Sequence, residues 1–177
     1  MKLLRTIRLD PSDTFIFPAA AEPGEWAISG TFAFSDLAPA ALSGRMLAAF
    51  RSGFLGVPSL GWSTLVQVVE ADPGDRQAAV ELLSQCLLDR FGAPDLAAAR
   101  AAAAEEIDFA ASLCGHPAGT LIAVHRSLES DAIREAFRTL RPRDDVKPWR
   151  TFRFLDAGED EPAETVDLAK LARGDRA

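Results

Sequence analysis

The stretch GTLIAVHRSLESDAIREAFRTL, residues 119–140, changes its hydrophobic period midway, and that change decides the order of elements. In its first half Leu121, Ala123 and His125 fall on one side of an extended chain, with Ile122 and Val124 on the other. A strand apolar on both faces belongs in the middle of a sheet. In the second half Ile133, Phe137 and Leu140 recur at i, i+4 and i+7 behind a Ser130-Asp131 cap, a pattern that predicts a helix over residues 131–141. On such a helix Arg134, Arg138 and Arg141 share one face. Like charges at that spacing cost a few tenths of a kcal/mol per pair unless something negative lies between them.

Upstream, the N-terminal part reads as strands. Residues 3–9 alternate, residues 14–17 (TFIF) follow the turn signal DPSD, and residues 26–34 (WAISGTFAF) place Trp26, Ile28, Phe32 and Phe34 on one face. A helix is expected over residues 39–50, with Leu42, Met46 and Phe50 spaced by four. Residues 63–71 (STLVQVVEA) form another central strand. Two helices follow. Asp72 caps the first, with Pro73 at its first position and Gly92 after its end. The second opens at Asp95 and closes near Cys114, with Leu96, Ala103, Ile107, Ala110 and Cys114 along its stripe. WRTFRFL makes a last strand with Phe152 and Phe154 inward, and residues 166–171 have room for one short helix.

This order predicts an α+β single-domain sandwich, a mixed but mainly antiparallel sheet with helices packed on one face. The domain spans residues 1–155, and an acidic C-terminal tail spans 156–177. A chain of 177 residues is long enough to bury a core without a metal or disulfide staple. Its net charge of −7 argues against general binding to nucleic acid or anionic lipid. No apolar run approaches the ~20 residues of a membrane span, and the alternating N-terminus is unlike a signal core, so the expected location is cytoplasmic. Cys86 and Cys114 sit in apolar helical patterns and read as buried thiols.

Several patterns resemble chemistry and fall short of it. GVPSLGWS, residues 56–63, nearly spells a phosphate loop, but Trp62 stands where the lysine belongs, a helix precedes it and a strand follows. It reads as a helix-to-strand connection anchored by Phe54, Leu55 and Trp62, or as a ligand lid. Cys114, His116 and His125 lack the spacing of a compact metal site, so neither metal nor cofactor is expected. His125 has no visible nucleophile beside it.

The electrostatic anomaly is the window 126–153, with eight basic and five acidic residues in an otherwise acidic chain. Arginine forks suit carboxylates and phosphates. The acidic segment 156–167 can neutralise the arginine face, solvent can, or an anionic metabolite or acidic partner can. The residues singled out for ligand or partner binding are therefore Arg134, Arg138, Arg141 and His125, with Trp62 as a roof.

At FRSGFLGVPSLGWSTLVQVVE and GTLIAVHRSLESDAIREAFRTLRP the chain resembles an uncharacterised bacterial protein family of unknown function. The resemblance implies a soluble bacterial single-domain protein and assigns no functional residue. Because no catalytic or metal constellation is complete, the expectation is a non-enzymatic cytoplasmic accessory or interaction protein, homodimeric, with no catalytic residue. The alternative is a protein or enzyme that binds a small anionic ligand on the arginine face and His125.

Overall fold

Alternation at the N-terminus produces the first strand, β1 (Lys2–Ile7), as expected. The computed structural model describes residues 1–35, 42–129, 132–142 and 152–156. The sequence DPSDTFI then winds instead of extending. Phe15 and Ile16 donate their N–H groups to the Ser12 carbonyl and Phe17 to that of Asp13, making a single-turn helix α1 (Asp13–Ile16). The expected strand at residues 14–17 is thereby corrected: the turn buries Phe17 completely while Phe15 stays 67% exposed. Strand β2 (Trp26–Ile28) also ends sooner than expected, because Gly30 takes a left-handed φ of 74° and starts a 3-10 turn, η1 (Thr31–Phe34).

Helix α2 (Gly44–Ser52) follows and starts later than expected, because Ser43 is its extended N-cap and Leu42 lies ahead of the first turn; residues 36–41 lie outside the described residues. The Gly/Pro segment connects α2 to the next long strand, with Phe54, Leu55 and Trp62 buried as its anchors. It is a tight hairpin, β3 (Phe54–Val57) and β4 (Trp62–Ser63), pairing Leu55 with Trp62. Strand β5 (Leu65–Glu70) comes one residue later. Helices α3 (Pro73–Arg90) and α4 (Leu96–Ser112) have the expected punctuation. Asp72 accepts from the Asp75 N–H and Asp75 accepts from that of Asp72, a reciprocal cap.

The decisive difference comes after β6 (Leu121–Glu129). Residues expected to form a helix make a strand instead, β7 (Ala132–Pro142), zipped to β6 over nine residue pairs from Leu121↔Leu140 to Glu129↔Ala132. Ile133 and Phe137 fit a period of two as well as a period of four, and pairing along β6 selects the former. β8 (Phe152–Asp156) is the last described strand; the expected facing of Phe152 and Phe154 falls on side chains that are not described, and the acidic tail beyond Asp156 with its short helix lies outside the described residues.

Among the described residues eight strands run in the order β4-β3-β2-β1-β5-β6-β7-β8, and every ladder between them is antiparallel. Only Thr64 separates β4 from β5, yet three strands lie between them in the sheet. In a flat sheet those ends would be ~19 Å apart, at ~4.8 Å per strand. Two peptide steps span at most ~7 Å. The sheet therefore rolls back on itself through β1–β3, and the β6–β7–β8 flap extends from the roll. Asp13 holds the seam: its carboxylate, 5% exposed, accepts from Thr64 N–H at 3.2 Å and Thr64 Oγ1 at 2.6 Å.

Helices α3 and α4 pack together, bridged by Arg76–Asp108 at 2.7 Å and Arg100–Glu81 at 2.9 Å. Ala99, Ala103, Ile107 and Ala110 of α4 are buried in the core with Leu4, Val66, Val68, Ile122 and Val124 of the sheet. Small side chains on α4 permit that close approach. Both cysteines are free; Cys114 is buried as expected, which pushes its thiol up to about 11, but Cys86 is only partly buried. Together these elements make an α+β fold. Among the described residues no helix is long and apolar enough to cross a membrane.

Candidate functional site

Alternation along β6 sends Ile122, Val124 and Arg126 to the same side, so an arginine occupies a position that pattern alone would fill with an aliphatic residue. Arg126 is 1% exposed. Its guanidinium meets the chain in every direction. Nη1 donates to the carbonyls of Phe50 at 3.1 Å and Gly53 at 2.7 Å. Nη2 donates to the Ser29 carbonyl and, at 3.0 Å, to Ser29 Oγ. Nε donates to Thr31 Oγ1 at 3.1 Å and to Glu135 Oε1 at 2.7 Å. Those acceptors sit at the open ends of β2, η1 and the α2–β3 corner, so Arg126 stitches the rolled edge to the flap. Glu135 is its register partner on β7, and the same Oε1 accepts from the hydroxyls of Ser29 and Thr31. Burial pulls the Arg126 pKa down and the adjacent Glu135 carboxylate opposes that, but a guanidinium keeps its charge throughout.

A second carboxyl faces this pair from α4. Glu106 lies on the helix between Ala103 and Ala110, at the spacing of the buried stripe. Its pKa is pushed up to about 7, first by burial, then by the negative charge of Glu135, against a smaller downward pull from Arg126. One guanidinium, already engaged by Glu135 and three carbonyls, serves two carboxyl groups.

Glu106 also lines a cleft of about 420 Å³ between η1, the end of α3 and the first half of α4. Its walls are Phe32, Leu87, Phe91, Pro94, Ala98 and Ala102, with Ser35 and Glu105 at polar positions. The cleft exists because Gly92, at φ 70°, ends α3 abruptly and Asp95 restarts the chain as α4 three residues later. Phe91 is left 39% exposed over it, with its ring edge against Phe32 at a centroid distance of 5.0 Å.

The residues expected from sequence to bind a ligand are distributed differently. The expected helix face of Arg134, Arg138 and Arg141 does not form, because residues 132–142 are extended. Arg134 and Arg138 share a sheet face with His125, but Arg141 has the opposite parity and pairs in register with Arg153. Arg134 is exposed and forms an ion pair with Glu129 at 2.8 Å. Arg138 stands opposite Asp156 in the β7–β8 register. Trp62 is in the core, 6% exposed and stacked on Phe34 at 5.0 Å, and forms no roof over the arginines. His125 is exposed and lines a second groove, of about 540 Å³, with Arg51, Arg126, Ser127 and Leu128. Among the described residues no three His, Cys, Asp or Glu side chains gather into a group able to hold a metal.

Sequence reasoning missed Glu106, Arg126 and Glu135 as a cluster. For two of them a signal existed: a glutamate on the small-residue stripe of α4 and an arginine at an inward position of β6 both break the local hydrophobic pattern.

A family model matches residues 1–149, and its description is a family of unknown function. No curated protein and no solved structure matches the chain.

Proposed function

Since the chain belongs to that family of unknown function, DUF6505, we propose on physical grounds that it is a non-enzymatic cytoplasmic protein that binds a small molecule in the cleft between η1, α3 and α4. One observation carries this: apolar walls around about 420 Å³ converge on a half-buried carboxyl group. Ligand sites of that size are mostly apolar, with few and well-placed polar groups. Binding rather than turnover is favoured because Arg126 is fully engaged by the fold and has no donor left to stabilise a developing charge. The free cysteines support a reducing compartment.

Filling the cleft tests this reading. Ala102 is an exposed helical residue of the lining, so Ala102→Trp should fold normally and block the site. In a thermal-shift screen against metabolites, a ligand at 100 times its Kd adds about 2.7 kcal/mol, a shift of several degrees. Hits should vanish in Ala102→Trp. Hits that persist in the filled variant would place binding elsewhere.

A second reading, an accessory protein that works as a homodimer, is favoured by the exposed Leu9, Phe15 and Ile16 around α1. Neighbouring apolar side chains on a surface mark contact sites more often than isolated ones do. Sedimentation velocity should then show a dimer that Phe15→Ser with Ile16→Ser converts to a monomer. A monomeric parent protein removes this reading.

A further inference from the structure

We propose that the ligand of this cleft is an organic cation, a protonated amine on an apolar ring-bearing body, and that its binding expels a proton from Glu106. The inference rests on the cleft reading above and adds the class of molecule.

The charges around the cleft set this class. Glu105 and Glu106 come from α4, Glu135 from β7 behind them, and Arg126 from β6. The contributions of η1 and α3, namely Phe32, Ser35, Leu87 and Phe91, carry no charge. Among the described residues the ionised group holds three carboxylates against one guanidinium, whose hydrogen bonds already run to Glu135, Ser29, Thr31 and two further carbonyls. A buried carboxylate without a counter-ion takes up a proton instead. Glu106 does this, its pKa standing near neutrality at about 7. An anionic ligand would add a further negative charge to an apolar site, while an ammonium supplies the missing positive one. The exposed ring of Phe91 and the ring of Phe32 offer faces for an aromatic body, and an ammonium near them gains cation–π attraction as well. The proton balance is simple: the ligand enters as its ammonium, Glu106 releases its proton to solvent, and no bond to carbon changes.

Three probes that share a phenylethyl body test it with the full-length protein: 2-phenylethylamine, 2-phenylethanol and 3-phenylpropionate. Amide NMR shifts at Phe91, Ala98 and Ala102 report occupancy of the cleft. Calorimetry at pH 6 in buffers of different ionisation enthalpy reports protons released. The amine is expected to shift those amides and bind at least tenfold tighter than the alcohol. It should release about 0.9 proton at pH 6 and almost none at pH 8.5, as follows for a group titrating near 7. Glu106→Gln should abolish the proton release and remove the preference for the amine over the alcohol. If the alcohol or the carboxylate shifts the cleft amides as strongly as the amine, the cation class is wrong and the cleft reading survives. If no probe moves them, both fail.

Discussion

Arg126 is among the largest side chains in the fully buried set, so its charge has to be met inside the fold. Glu135, with its side chain 17% exposed, meets it at 2.7 Å. Removing one member of such a pair leaves an uncompensated buried charge and costs about 3–5 kcal/mol. Glu135→Gln preserves the shape and an acceptor oxygen but not the charge, so its unfolding free energy should fall by about 3 kcal/mol, seen as a lower urea midpoint with the m-value unchanged. Glu106 would then be the nearest carboxyl to Arg126 without Glu135 repelling it. Its pKa in the Glu135→Gln variant should drop below the parental value of about 7, which a carbon-13 titration of the carboxyl can follow. The parent protein carries a pH signature of the same group. Between the ordinary glutamate value of 4.5 and about 7, folded Glu106 holds a proton that the unfolded chain has released. Stability therefore falls as pH rises through this window and then levels off. Allowing for the solvent that reaches the group, the loss is about 1–2 kcal/mol. Urea unfolding at pH 5 and pH 8 should show this loss, and Glu106→Gln should flatten it and be the more stable protein at pH 8.

At the scale of elements, β7 is the place where local pattern and tertiary context disagree. Helical spacing at Ile133, Phe137 and Leu140 is real, but Ile133, Glu135, Phe137 and Thr139 also alternate. As a strand, this set meets Leu128, Arg126, Val124 and Ile122 across the ladder. Phe137 then packs between Phe54 and Phe109, at 6.1 Å and 5.8 Å. Ala136 is exposed on the opposite face beside His125. Ala136→Thr separates the two conformations: in a helix it would be destabilising, whereas on a strand it should raise stability by a few tenths to about 1 kcal/mol. Thermal or urea unfolding reads the sign. Helix α3 offers the opposite case, where local chemistry decided correctly. Asp72→Ala should cost about 1 kcal/mol, because it removes one half of the reciprocal cap with Asp75.

The whole molecule depends on closing the roll between β4 and β5. Thr64 makes that bend, and Asp13 reaches it from 51 residues away in sequence. Asp13→Ala leaves the Thr64 N–H and hydroxyl without their acceptor in a largely buried seam, for an expected loss of about 1–3 kcal/mol. Native-state hydrogen exchange should show the loss concentrated in β3, β4 and β5 rather than in α3 and α4. A uniform change across the molecule would mean that the seam does not behave as a separate unit.

Taken alone, the sequence determined β1 through its alternation, β5 and β6 through apolar residues on both faces, and α3 and α4 through Asp72, Pro73, Gly92 and Asp95. Those signals are local: a period or a cap is complete within a few residues, so no distant partner is needed to read it. It also determined the α+β class and the membership of a family of unknown function. Tertiary structure alone decided the strand at residues 132–142, the roll through β1–β3 and the cluster of Arg126, Glu135 and Glu106. Each depends on partners far apart in sequence. Residues 29, 31, 50, 53, 106, 126 and 135 come together only once the sheet has curled and α4 has packed onto it, and no spacing rule records that distance. The arginines that attracted notice in the sequence did so by a helical period that the β6–β7 ladder overrides, because nine paired residues outweigh the weak preference of one amphipathic stretch.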